Sequence, residues 1–165
     1  MTQFGRLQAL IDGRVEFVIV GGLAATIHGS ARVTQHIDIV YCRGDEKKAR
    51  LVAALAPYRP NLRGAPPNLP FEWSVDTLKA GLNFTVVSTL RWIDLLGEVT
   101  GGGGYESVRP DAVNVEYYGH QILCVSLSKL IALKRAAGRP KDNEVLAELE
   151  TILDLQRAKN KTNRP

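Results

Sequence analysis

The chain has 165 residues, 45% of them apolar, and a formal charge of +4 at pH 7. That length suits one domain with a proper core, and the composition excludes a disordered chain. No apolar run reaches the roughly 20 residues of a membrane helix, the N-terminal MTQFGRLQALIDG lacks a signal-peptide layout, and two cysteines are too few for a disulfide framework. A cytoplasmic protein with no membrane partner is the expectation, with Cys42 and Cys124 as buried strand residues.

Residues 3 to 11 read as a helix with Phe4, Leu7, Leu10 and Ile11 on one side, ended by Asp12-Gly13. Phe17 to Val20 is a short β-branched run, which suits a buried strand. Gly21 and Gly22 follow, where φ > 0 and a close approach by another molecule are allowed. Leu23 to His28 reads as a short helix stopped by Gly29, with His28 packed beneath it. The free N–H groups at its start would attract phosphate. Ser30, Arg32 and Thr34 then alternate along an extended segment. Ile37 to Val40 is a second strand, whose alternation points His36 and Asp38 one way and sends Ile37 and Ile39 into the core.

The glycine pair after a strand, the segment HGSARVT and a strand bearing an acid resemble the nucleotidyltransferases of the DNA polymerase β superfamily. They are most similar to the small bacterial abortive-infection and toxin–antitoxin enzymes. The resemblance implies that acids on two adjacent strands hold magnesium (or manganese), which clamps a nucleoside triphosphate. It implies Gly21, Gly22, Ser30 and Arg32 as nucleotide-binding residues, and Asp38 as a metal ligand. The sequence departs from the pattern at His36, which stands where the first acid belongs. An imidazole is a poorer magnesium ligand than a carboxylate, so metal affinity should fall or the metal requirement change.

Further along, 45 to 56 reads as a helix with Asp45 as its N-cap or first-turn acid, closed by Pro57. A proline-rich loop with Arg59 and Arg63 covers 57 to 71. A short helix over 75 to 80 precedes a strand from Asn83 to Thr89. Asp94 sits inside the apolar run Ile93 to Leu96, where an acid needs a partner. The resemblance makes it the third metal ligand; a surface acid at a strand end is the alternative. Gly101 to Gly104 reads as a flexible loop or lid, with the Tyr105 ring available to stack on a base. Residues 113 to 118 and 121 to 125 form a hairpin around Gly119-His120. Ser126 or Ser128 caps a helix to about Ala137, Gly138-Arg139-Pro140 stops it, and Lys141-Asp142 opens a last helix to about Gln156. By the resemblance the KLIALKRAAGRPKD segment and its RxKD turn lie beside the active site: Lys129 or Lys134 contacts phosphates, with Lys134 in a catalytic role, and Lys141 and Asp142 complete the pocket.

The expected architecture is α+β, a nucleotidyltransferase-like mixed β-sheet with flanking helices and a C-terminal helical pair. One domain covers 1 to 156, and 157 to 165 is a basic, disordered tail. The expected activity is metal-dependent transfer of a nucleotidyl group from a nucleoside triphosphate to an acceptor, with pyrophosphate released. The acceptor is a tRNA, a protein or a small molecule, and an antitoxin is a candidate partner. The competing expectation is a fold that has lost catalysis at His36 and binds nucleotide, RNA or a toxin–antitoxin partner.

Overall fold

Short β-branched and aromatic runs, separated by glycine, proline and polar turns, form seven strands in one sheet. The computed structural model describes residues 3–165. In chain order the elements are α1 (Gln3–Asp12), β1 (Phe17–Val20), α2 (Gly21–Ile27), β2 (Ile37–Tyr41), α3 (Asp45–Leu55), β3 (Asn61–Leu62), α4 (Val75–Ala80), β4 (Asn83–Ser88), β5 (Arg91–Leu96), α5 (Tyr105–Val108), β6 (Ala112–Tyr117), β7 (His120–Val125), α6 (Leu127–Ala137) and α7 (Asn143–Thr162). The strand order is β3-β4-β5-β2-β1-β7-β6. The pairs β2–β5 and β1–β7 are parallel and the remaining four are antiparallel, so the sheet is mixed as expected.

The centre of the sheet is the centre of the core. Val18, Ile19, Ile37, Ile39, Val40 and Leu95 are fully buried, and Leu7, Leu10, Leu51 and Leu55 cover them from α1 and α3. The helices gather in two groups: α1, α3 and α4 pack together, and α2, α6 and α7 form the other. Ser126 caps α6 by accepting from the Lys129 N–H, and Gly138 ends it in the left-handed region at φ +61°. Among the described residues no helix is long and apolar enough to cross a membrane.

Five features depart from expectation. Helix α2 starts at Gly21 rather than Leu23, so both glycines belong to its first turn. The proline-rich loop contains an edge strand, β3, which pairs with β4 and would not show as a periodic run because it has two residues. The glycine run is no lid: Val99 and Gly103 form a β-bridge, and side-chain carbons added at Gly101 and Gly102 would stand 2.4 Å from Ala136 Cβ and 2.6 Å from Leu133 Cδ2 of α6. Tyr105 opens α5 and is buried, so its ring is unavailable for a base. Finally, α7 continues to Thr162, through most of the segment expected to be disordered. That segment holds no helix breaker before Asn163, and Lys159 and Lys161 suit the negative end of a helix.

Candidate active site

Strands β2 and β5 run side by side in parallel, and their register sets Asp38 directly opposite Asp94. Directly opposed residues share a face. Their neighbours Ile37, Ile39, Ile93 and Leu95 point the other way into the core. Two carboxyl groups therefore meet on one face at the middle of the sheet. Burial pushes the Asp38 carboxyl up to about 7, and the hydrogen bond and charge of Asp94 add to the rise. The charge of Arg139 and the N–H of Gly22 oppose it. Like charges facing each other across the register do not both ionise readily, which is why Asp94 raises Asp38. Asp94 Oδ1 is buried with no hydrogen-bond partner.

The glycine pair serves these residues. Gly21 has φ +65°, and a side-chain carbon there would lie 2.3 Å from Asp38 Oδ2. At Gly22 it would lie 2.8 Å from Thr34 Oγ1. Both positions must be bare because the chain's own Asp38 and Thr34 fill the space.

His36 lies just before β2, with Nδ1 3.8 Å from Asp94 Oδ2 and its ring 5.1 Å from that of Trp92, tilted by 43°. Among the described residues no three His, Cys, Asp or Glu side chains gather as a metal cluster, so His36 does not close a triad with the two acids. What is gathered is a pair of hard oxygen donors with one oxygen unsatisfied.

Of the remaining expected site residues, all but Lys141 are already engaged. The buried Ser30 hydroxyl donates to Glu148 Oε2 at 3.0 Å, and the Ala31 N–H donates to Glu148 Oε1 at 2.7 Å. The exposed Arg32 pairs with Glu144 and lies 3.9 Å from Glu148. Ser30 and Arg32 thus tie the loop before β2 to α7. Lys129 pairs with Asp111 at 3.6 Å. Lys134 is buried against Asp142 at 3.5 Å, and Arg139 meets the same carboxylate at 2.7 Å. Lys141 stands exposed in the turn between α6 and α7.

Comparison with solved structures identifies the fold. The lincosamide antibiotic adenylyltransferase LnuA, solved with lincomycin bound, superimposes with a TM-score of 0.61 at 15% identity, over 92% of this chain and 98% of that one. The antibiotic-resistance factor ANT(2'')-Ia in complex with adenylyl-2''-tobramycin gives 0.52 at 15% identity, over 93% and 94%. The solution structure of ANT(2'')-Ia gives 0.53 at 14% identity, over 94% and 89%. The chain has the nucleotidyltransferase fold. No protein-family model matches the sequence, and no curated protein does.

Within the nucleotidyltransferase fold, several residues near the acids were not singled out in the sequence. Arg6 is 3% exposed, and its guanidinium donates to the carbonyls of Gln35, at 2.9 Å, and Trp92. It cross-ties the start of β2 to β5 just before the two acids. A lone arginine among Phe4, Leu7 and Leu10 on the helix was the available signal. Thr85 stands directly across from Asp94 on β4. Arg139, the first residue of the RxKD turn expected beside the site, acts on Asp38 by its charge.

Proposed function

We propose that this chain transfers a nucleotidyl group from a nucleoside triphosphate to an acceptor hydroxyl. The acceptor oxygen bonds to the α-phosphorus, the bond from that phosphorus to the bridging oxygen breaks, pyrophosphate leaves, and the hydroxyl proton is released. The observation that carries the reading is the opposed Asp38–Asp94 pair on one face of the sheet, with Asp94 Oδ1 buried without a partner. Support comes from the fold, which two antibiotic adenylyltransferases share.

The residues fit a hard divalent cation, magnesium or manganese, because both available donors are carboxylates and one oxygen lacks a partner. Asp38 and Asp94 would hold it, and when bound it would supply charge neutralisation on the phosphates. The chain's own groups prepare the pair. The Gly22 N–H orients the Asp38 carboxyl, Arg139 favours its ionised form, and Arg6 keeps the two strands in register. Gly21, Gly22 and the exposed Lys141 are the groups assigned to the triphosphate. Candidate acceptors are a tRNA end, a protein side chain and a hydroxyl-bearing small molecule, and a protein antitoxin is a candidate partner.

Isothermal calorimetry with ATP, CTP, GTP and UTP, each with magnesium, manganese or no metal, is the direct test. Binding that needs the cation and vanishes in Asp38→Asn supports transfer. Binding that ignores both the cation and Asp38 defeats it. The imidazole at the first acid position favours a second reading, a module that binds nucleotide or RNA without chemistry. His36→Asp separates the two: a gain in cation affinity and in transfer points to a weakened enzyme, and no change in either points to the module.

A further inference from the structure

The sheet order places the glycine turn of β1 on the β2 side of the acid pair and leaves the β4 side of Asp94 to other groups. Those groups form a surface. Thr85 lies directly across from Asp94, and the Arg63 N–H donates to the Thr85 carbonyl at 2.9 Å. Trp92, two residues before Asp94 on β5, shares the face on which Asp94 stands. The Arg63 guanidinium lies over the Trp92 ring, 3.7 Å from its centroid. Stacking fixes the plane of the guanidinium while its N–H donors remain along the edges. Among the described residues no carboxylate pairs with Arg63. Residues 57–71 and 83–93 carry Arg59, Arg63 and Arg91 and no acid at all.

A planar, oriented and unpaired guanidinium beside a reaction centre suits an oxyanion with two oxygens presented together. We propose that the Arg63–Trp92 stack is the acceptor-side subsite, and that it takes an acceptor bearing a phosphate next to its reactive hydroxyl. This rests on the nucleotidyl-transfer reading above. The shared chemistry is a hydroxyl near a phosphate ester, whether in a small molecule or at the end of a nucleic acid. A polycationic aminoglycoside would face the unpaired Arg63 guanidinium here, which disfavours it.

The test follows the indole N–H signal of Trp92 by NMR in the intact chain, titrated with the dinucleotide ApA, with glycerol 3-phosphate and with tobramycin. Wild type, Arg63→Lys and Arg63→Glu are compared. A phosphate probe should shift the Trp92 signal, and added salt should weaken the binding. Arg63→Glu should weaken it at least about tenfold, as expected for loss of a charge-assisted bond, and Arg63→Lys should fall between. Thermal midpoints should stay together, because Arg63 is exposed. Equal binding of both phosphate probes identifies a small ester as sufficient; binding of ApA alone identifies a nucleic-acid end. The subsite is overturned if neither phosphate probe binds, if Arg63→Glu binds them as well as wild type, or if tobramycin alone binds. Calorimetry with ATP and magnesium separates the two levels. Triphosphate binding with an ApA response insensitive to Arg63 defeats the subsite alone. No triphosphate binding under any condition defeats the transfer reading, and the acceptor role of Arg63 with it.

Discussion

A carboxylate on a central strand is costly unless it is paired with a cation, coordinated or protonated. For Asp38 the protonated form is favoured, with its pKa pushed up from 3.8 to about 7 by burial and by Asp94. The folded state holds this proton more tightly than the unfolded chain does, so the group's contribution to stability is fully present below pH 3.8 and is lost as pH rises through about 7. The metal-free protein should therefore lose thermal stability between pH 5 and pH 8, and Asp38→Asn should remove most of that slope and raise the melting temperature at pH 8. Thermal unfolding at both pH values, without divalent metal, reads this directly. The same group predicts that magnesium affinity rises steeply as pH passes about 7, since a proton on Asp38 competes with a cation. Calorimetry at pH 6 and pH 8 would show it. Asp38 and Asp94 were legible in the sequence because an acid inside an apolar β run demands a reason. The Arg63–Trp92 stack was not, since its partners are 29 positions apart and nothing local to either marks the contact.

Among the elements, the register of β2 against β5 makes the site, and a side chain from α1 pins it. Arg6 ties the Gln35 and Trp92 carbonyls from a buried position. Arg6→Met would keep the apolar bulk and leave both carbonyls short of a donor, at a cost of about 2 kcal/mol. Denaturant unfolding should show that loss, and hydrogen exchange should show faster opening at the start of β2 and β5 than elsewhere. A uniform loss of protection would mean that Arg6 supports the core as a whole. Element types were mostly legible, because periodicity, caps and breakers act within a few residues: Ser126 and Gly138 bracket α6, and the 113–125 hairpin pairs as read. The glycine run was misread because its conformational freedom is local, whereas its packing against Leu133 and Ala136 is a property of α6.

At the scale of the whole molecule, α7 closes the structure by holding the loop before β2 through Glu144 and Glu148. Its last turns do not share that work, since residues 154 to 165 are exposed throughout. Removing 157–165 should shift the melting temperature by less than about 2 °C, as surface changes in a chain of this size do. Glu148→Ala should instead unfasten Ser30 and Ala31 and cost about 1–2 kcal/mol, measured by denaturant unfolding. By itself the sequence determined the α+β class, the strand–glycine–helix–strand core and the two acids, because hydrophobic alternation, glycine geometry and the cost of an acid in an apolar run are short-range properties. The tertiary structure decided which side chains those acids meet. It set Asp38 opposite Asp94, gave the bare faces of Gly21 and Gly22 to Asp38 and Thr34, committed Ser30 and Arg32 to α7, and laid Arg63 over Trp92. Strand register and helix docking bring together residues far apart in the chain, and no local pattern encodes that pairing.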